Sequence, residues 1–189
     1  MLERLPHVLS PVDLPVAELY AARLDGELFP VGGAFSPVDE IEQPELRAAA
    51  VHAEVSGRLI AEQLSAAWIW GALDSPPLRH QFCVGAAARV SHSPARWMTL
   101  REVIIEEDEI SDLGGFLVTT PERTVIDLVR FSESFGPTER TIIRALARGG
   151  ASLEAAADNV RRRRNLPNKR RALARLASAL PPAELPAAE

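Results

Sequence analysis

Lysine is almost missing from this chain: of its 21 basic residues only Lys169 is a lysine. A nuclease centre of the Asp…Glu-x-Lys kind and a Walker A loop ending in Gly-Lys-Ser/Thr both need a lysine in a fixed context. Pro167-Asn168 before Lys169 supplies neither. Cysteine is equally scarce, and the single Cys83 excludes an intramolecular disulfide. The apolar runs fall far short of the roughly 18 residues a membrane span requires. No leader with a basic start and an apolar stretch opens the chain, so a cytoplasmic protein without membrane contact is expected. The glycines never form Gly-x-Gly-x-x-Gly after a strand or a Gly-x-Ser-x-Gly elbow. The common enzyme signatures are therefore missing, and no catalytic residue, cofactor or metal is expected.

What the chain does have is charge, unevenly placed around a net of −5 over 189 residues. Residues 1–60 hold four arginines against ten acidic groups, and residues 61–150 hold nine against twelve. The C-terminal stretch reverses this, with eight basic groups against four acidic, mostly in Arg161, Arg162, Arg163, Arg164, Lys169, Arg170 and Arg171. Such asymmetry speaks to partners and long-range fields rather than to fold. Arg161 to Arg164 cover nearly a full helical turn, so they cannot all point one way. Lys169 to Arg171 open the next helix on its positive dipole end. Phosphates, a carboxylate-rich partner or plain counterions would each relieve the repulsion.

Along the chain, Leu14 to Leu24 reads as a helix with Pro15 in its first turn and Asp25-Gly26 closing it. Glu27 to Val31 and Ala34 to Val38 flank Gly32-Gly33 as a hairpin, with Pro30 and Pro37 limiting both strands to edge roles. Helix plus hairpin is what a winged helix keeps when shortened from its front. The helix offers Arg23 against Glu18 and Asp25, poor chemistry for reading a DNA groove. Pro44 to Val55 is the next helix and Leu59 to Ala61 a short strand. Arg79 to Val84, Met98 to Glu106 and Gly115 to Thr119 are further strands. Four helices follow, at 121–132, 137–148, 152–163 and 168–180, divided by Gly136, Gly149-Gly150 and Pro167. The expected class is α+β: a small, mainly antiparallel sheet with a C-terminal helical bundle, preceded by the N-terminal helix and β-wing. The expected division is a reduced winged-helix remnant at 1–43, a core at 44–180 and a disordered tail at 181–189.

Several residues invite chemistry. His80, Cys83 and His92 have no second Cys or His pair to complete a zinc site, and an odd separation puts His80 and Cys83 on opposite strand faces. Ser91-His92-Ser93 shows no acidic orienter for a triad. Glu106, Glu107, Asp108, Glu109 and Asp112 read as a solvated acidic turn, with divalent-cation binding or a basic protein partner as alternatives. Trp68 and Trp70 cannot both face inward from one helix. Trp68 follows the apolar stripe, leaving Trp70 as a candidate interface anchor.

The most specific stretch is Val118-Thr119-Thr120-Pro121-Glu122-Arg123-Thr124-Val125-Ile126-Asp127-Leu128, a strand that turns straight into a helix. Thr120 fits the N-cap, Pro121 the first helical position, and Glu122 opposes the dipole. Arg123 and Asp127 lie four apart on one face, as an intrahelical pair would. Upstream stands Ser65-Ala66-Ala67-Trp68-Ile69-Trp70-Gly71-Ala72-Leu73. This order resembles the AbiEi-type antitoxins of type IV toxin–antitoxin systems from about Leu46 to Leu180, with Trp68, Gly71, Pro121, Arg123, Thr124 and Asp127 as structural motif positions. The resemblance implies a non-enzymatic antitoxin or transcriptional regulator whose partner is a nucleotidyltransferase-like toxin. It also implies that operator DNA and a homodimer are options. Glu106, Glu107, Asp108 and Trp70 are then candidates for the toxin interface, and the seven C-terminal basic residues for nucleic acid or a partner. A stand-alone sequence-specific repressor is the alternative, and a degenerate nuclease relative a more distant one.

Overall fold

A computed structural model of the chain describes residues 6–55, 57–86 and 95–180. The expected tail at 181–189 and Ser91-His92-Ser93 lie outside the described residues. The architecture is α+β, and among the described residues no helix is long and apolar enough to cross a membrane.

The first helix, α1 (Val16–Leu24), leads into the hairpin β1 (Leu28–Val31) and β2 (Ala34–Pro37). Gly32 takes the positive φ (59°) that this turn requires. Leu9 bridges back to Phe35, and Leu19, Leu28 and Phe35 close a small apolar cluster with it. Next comes α2 (Pro44–His52), with Pro44 at its start.

The main sheet has five strands in the order β5-β4-β3-β7-β6: β3 (Ile60–Ala61), β4 (His80–Gly85), β5 (Met98–Val103), β6 (Ile110–Leu113) and β7 (Phe116–Thr119). Its pairs alternate: β4 and β6 run antiparallel to their inner neighbours, while β3 with β7 and β4 with β5 are parallel. The central strand, β3, is also the shortest. It is flanked on both edges, by Phe82 and Cys83 on one side and Leu117 and Val118 on the other. β6 has no counterpart in the sequence reading, because its polar Ser111 and Asp112 hide within the acidic stretch.

Between sheet and bundle sits α3 (Gln63–Ile69). Gln63 enters it at φ 48°, an uncommon conformation for a side-chain-bearing residue that turns the chain sharply out of β3. One face of α3 gives Trp68 and Ile69 to the sheet core, and the other gives Ala67 to the helical core. Trp70 and Leu73 pack against both. Arg47 of α2 clamps the far end of α3, donating to the carbonyls of Trp68 at 2.6 Å and Leu73 at 2.9 Å. The helices α4 (Pro121–Phe131), α5 (Pro137–Arg148), α6 (Leu153–Arg162) and α7 (Lys169–Ala179) then pack around Val125, Val129, Ile143, Leu146, Val160 and Leu176.

Candidate functional site

The corner at Thr120 forms as its residue types dictate. Thr120 Oγ1 accepts from the Arg123 amide at 3.3 Å, and Pro121 occupies the first turn. The Thr124 hydroxyl donates to the carbonyl of Thr120 at 2.9 Å and lies 2.8 Å from Thr119 Oγ1, tying the helix back to its strand. Gly71 adopts φ 78° just past α3, a conformation that disfavours any side chain.

Arg123 and Asp127 do form the intrahelical pair, Nε to Oδ2 at 2.9 Å, but the pair is buried rather than exposed. Two groups from distant sequence complete it. Glu109, itself buried, accepts from Arg123 Nη1 at 2.5 Å and from Arg163 Nη2 at 2.5 Å. Arg130, one helical turn below, places Nη1 3.8 Å from Asp127 Oδ1. Burial works against the charge on Arg123, but Asp127 and Glu109 outweigh it and hold its pKa above the ordinary value. A second pair, of buried Glu62 with half-buried Arg101, is also present. Both guanidinium nitrogens of a fork on Arg101 donate to the Glu62 carboxylate, and Arg101 stacks over Phe131. Burial pushes the Glu62 carboxyl up, and Arg101 opposes that shift.

Glu109 therefore leaves the acidic run and joins the basic one. Its neighbours Glu106, Glu107 and Asp108 stay exposed around a short 3-10 turn, in no ion pair among the described residues. Trp68 is buried, as expected of the apolar stripe. Trp70 is half-buried and donates from Nε1 to the Thr119 carbonyl at 2.8 Å.

The basic residues divide similarly. Arg163 binds Glu109, Lys169 Nζ donates to the carbonyls of Arg161 and Arg163, and Arg171 donates to the Arg130 carbonyl. Arg161 pairs with Asp158, both exposed. Arg162, Arg164 and Arg170 are exposed and lie in no ion pair among the described residues. On α1 the exposed residues include apolar Val16, Tyr20 and Leu24 beside Glu18 and a single cation, Arg23.

His80 and Cys83 are both buried in β4, His92 lies outside the described residues, and no metal-ligand cluster occurs among the described residues. Burial pushes the Cys83 thiol far from its reactive form. His80 Nδ1 instead lies 3.0 Å from Ser65 Oγ. The sequence reading missed Glu62, Arg101 and Arg130. Their only signal was the presence of charge beside apolar strand and helix positions.

A mixed sheet passes through a Thr-Pro corner into a helical bundle, with a buried Arg-Asp pair at the joint. The chain belongs to the AbiEi antitoxin C-terminal domain family, whose model matches residues 60–164. Membership supports an antitoxin or regulator role in a toxin–antitoxin system, with a toxin as the general partner, in a family that is generally non-enzymatic. The fold is similar to that of the RV2827C protein from Mycobacterium tuberculosis. The two share 20% identity at a TM-score of 0.50, over 92% of this chain and 72% of that one. No curated protein matches the chain.

Proposed function

We propose that the chain is a cytoplasmic antitoxin that counteracts a nucleotidyltransferase-like toxin by direct protein–protein contact. The observation that carries this reading is the exposed acidic edge of Glu106, Glu107 and Asp108, in no ion pair among the described residues, on a turn whose Glu109 is tied to Arg123 and Arg163. Fixed charge of one sign steers a partner of the opposite sign and sets its register. A toxin that handles nucleotides or RNA carries such a basic face. Half-buried Trp70 adds an apolar anchor. In this reading residues 44–180 form the antitoxin core and residues 1–43 a reduced winged-helix remnant.

Autoregulation through operator DNA is the second reading. Exposure of Arg161, Arg162, Arg164 and Arg170 favours it, with Arg163, Lys169 and Arg171 holding the segment in place. A dimer would set two such patches on one site, and binding would fall steeply with salt.

The test is co-expression with the neighbouring gene product, then size-exclusion chromatography at low and high salt. A complex that relieves growth arrest is expected, and reversing Glu106, Glu107 and Asp108 to lysine should abolish it. Unaltered binding by that triple variant removes the acidic edge from the interface. A chain that runs alone and retards its own promoter DNA, with retardation lost when the seven basic residues become glutamine, is a stand-alone repressor.

A further inference from the structure

Beside the buried ion pairs opens a cleft of about 650 Å³. It is walled by the end of β5 and the residues after it, by α4, and by the connection from α6 to α7. The volume is typical of small-molecule sites. Five arginines line it: Arg101, Arg123, Arg130, Arg163 and Arg164.

Arg130 is the telling one. It is only 6% exposed, yet its Nε reaches no better acceptor than the Pro167 carbonyl at 3.4 Å. The carboxylate oxygen in ion-pair range, Asp127 Oδ1, is 3.8 Å away, beyond hydrogen-bond reach, and has no hydrogen-bond partner itself. The two Nη groups of Arg130 make no hydrogen bond among the described residues and are not fully buried, so they open onto the cleft, while the guanidinium lies over the Phe131 ring at 4.4 Å from its centroid. Burial and the nearby Arg123, Arg101 and Arg163 press its pKa below the ordinary value, with Asp127 opposing them.

Charge is unevenly distributed around the cleft. The carboxylates of Glu109 and Asp127 face the guanidiniums of Arg123, Arg130 and Arg163, which leaves one cation in excess. Arg101 is balanced by Glu62, and exposed Arg164 adds a further cation. Exposed Glu102 and Glu106 stand on the same lining. Their two charges bring the formal balance to zero, so what recommends an anion is the set of guanidinium donors on Arg130 and Arg164 that are free among the described residues, not net charge. Guanidinium forks match phosphoryl oxygens two at a time. Ile104, Leu166 and Pro167 supply an apolar wall beside them.

We infer that this cleft binds a nucleoside polyphosphate, with its phosphoryl groups on Arg130 and Arg164 and its apolar portion against Ile104, Leu166 and Pro167. The inference stands independently of the toxin reading, and complex formation with a toxin is measured separately.

The experiment is calorimetric titration of the full chain with ATP, pyrophosphate and adenosine, repeated for Arg130→Gln and Arg164→Gln. ATP should bind and adenosine should not. Affinity should drop about tenfold or more in the Arg130 variant, as loss of a charge-assisted bidentate contact implies. Arg164 is exposed and in no ion pair among the described residues, so its variant keeps the fold by circular dichroism and should still bind several-fold more weakly. Pyrophosphate binding as tightly as ATP upholds the phosphoryl site and assigns it to polyphosphate as such. Tighter ATP binding upholds it and assigns the nucleotide. No heat with ATP or pyrophosphate, equal binding of adenosine, or unchanged affinity in folded Arg164→Gln overturns the inference. So does binding of a 5′-phosphorylated oligonucleotide in the absence of any ATP binding.

Discussion

Two helices carry what the sequence alone presents as the same device. On α4, Arg123 and Asp127 pair four residues apart with side chains 3% and 0% exposed. On the outer face of α6, Asp158 and Arg161 pair three apart at 2.7 Å, with 60% and 62% exposure. The spacing rule that brings both pairs together is the same. Their energetics are opposite in kind. The outer pair trades water for a partner at little net gain, whereas the inner pair has lost water entirely and depends on every remaining member. Local periodicity announces an ion pair, but packing from elsewhere in the chain decides what it is worth.

The sharpest way to break this contrast is to delete Asp127. Asp127→Ala leaves Arg123 and Arg130 facing Glu109 alone, and a loss of about 3–5 kcal/mol is expected from urea unfolding, as for other broken buried pairs. A loss no larger than that of a surface substitution would mean that the buried cluster hydrates easily. Glu109→Gln is the milder probe, since the amide oxygen still accepts while the charge against Arg123 and Arg163 disappears. About 2 kcal/mol is expected, the scale of a charged hydrogen bond.

Next comes pH, through a buried titratable group that lies in no ion pair among the described residues. Burial holds His80 below its ordinary pKa of 6.5, so the folded chain prefers the neutral ring. The stability this contributes is fully present above pH 6.5 and is lost as pH falls through the lower folded value. The urea midpoint should therefore decline in that window, and His80→Gln should flatten the decline. The smallest effect belongs to α6. A double-mutant cycle on Asp158→Ala and Arg161→Ala should give a coupling below about 0.5 kcal/mol that vanishes in high salt. A coupling comparable to the inner pair would erase the distinction.

Much of the fold was legible because it is written locally. Thr120-Pro121, Gly136, Gly149-Gly150 and Pro167 punctuate the bundle, and the helices follow within a residue or so of those marks. Gly32-Gly33 announces the hairpin in the same way. β6 was not legible, since it begins at Ile110 directly after four acidic residues and owes its existence to pairing with β7. The mixed order of the main sheet was hidden too. β3 contributes two residues, and nothing in Ile60-Ala61 says that both its edges are occupied. In the candidate site the sequence reading named Arg123 and Asp127 as a pair but not their burial. Burial depends on Glu109, 14 positions before Arg123, and on Arg163, 54 positions beyond Glu109. Arg130 stands three residues after Asp127, a spacing that equally fits a solvated surface.

Trp70 and Leu73 belong to the apolar packing of both the sheet and the bundle, and Trp70 is also hydrogen-bonded to the last residue of β7. Neither layer has a complete interior without them. Sheet and bundle should therefore melt together in one cooperative transition, and a ligand or partner that grips either layer would stiffen the other.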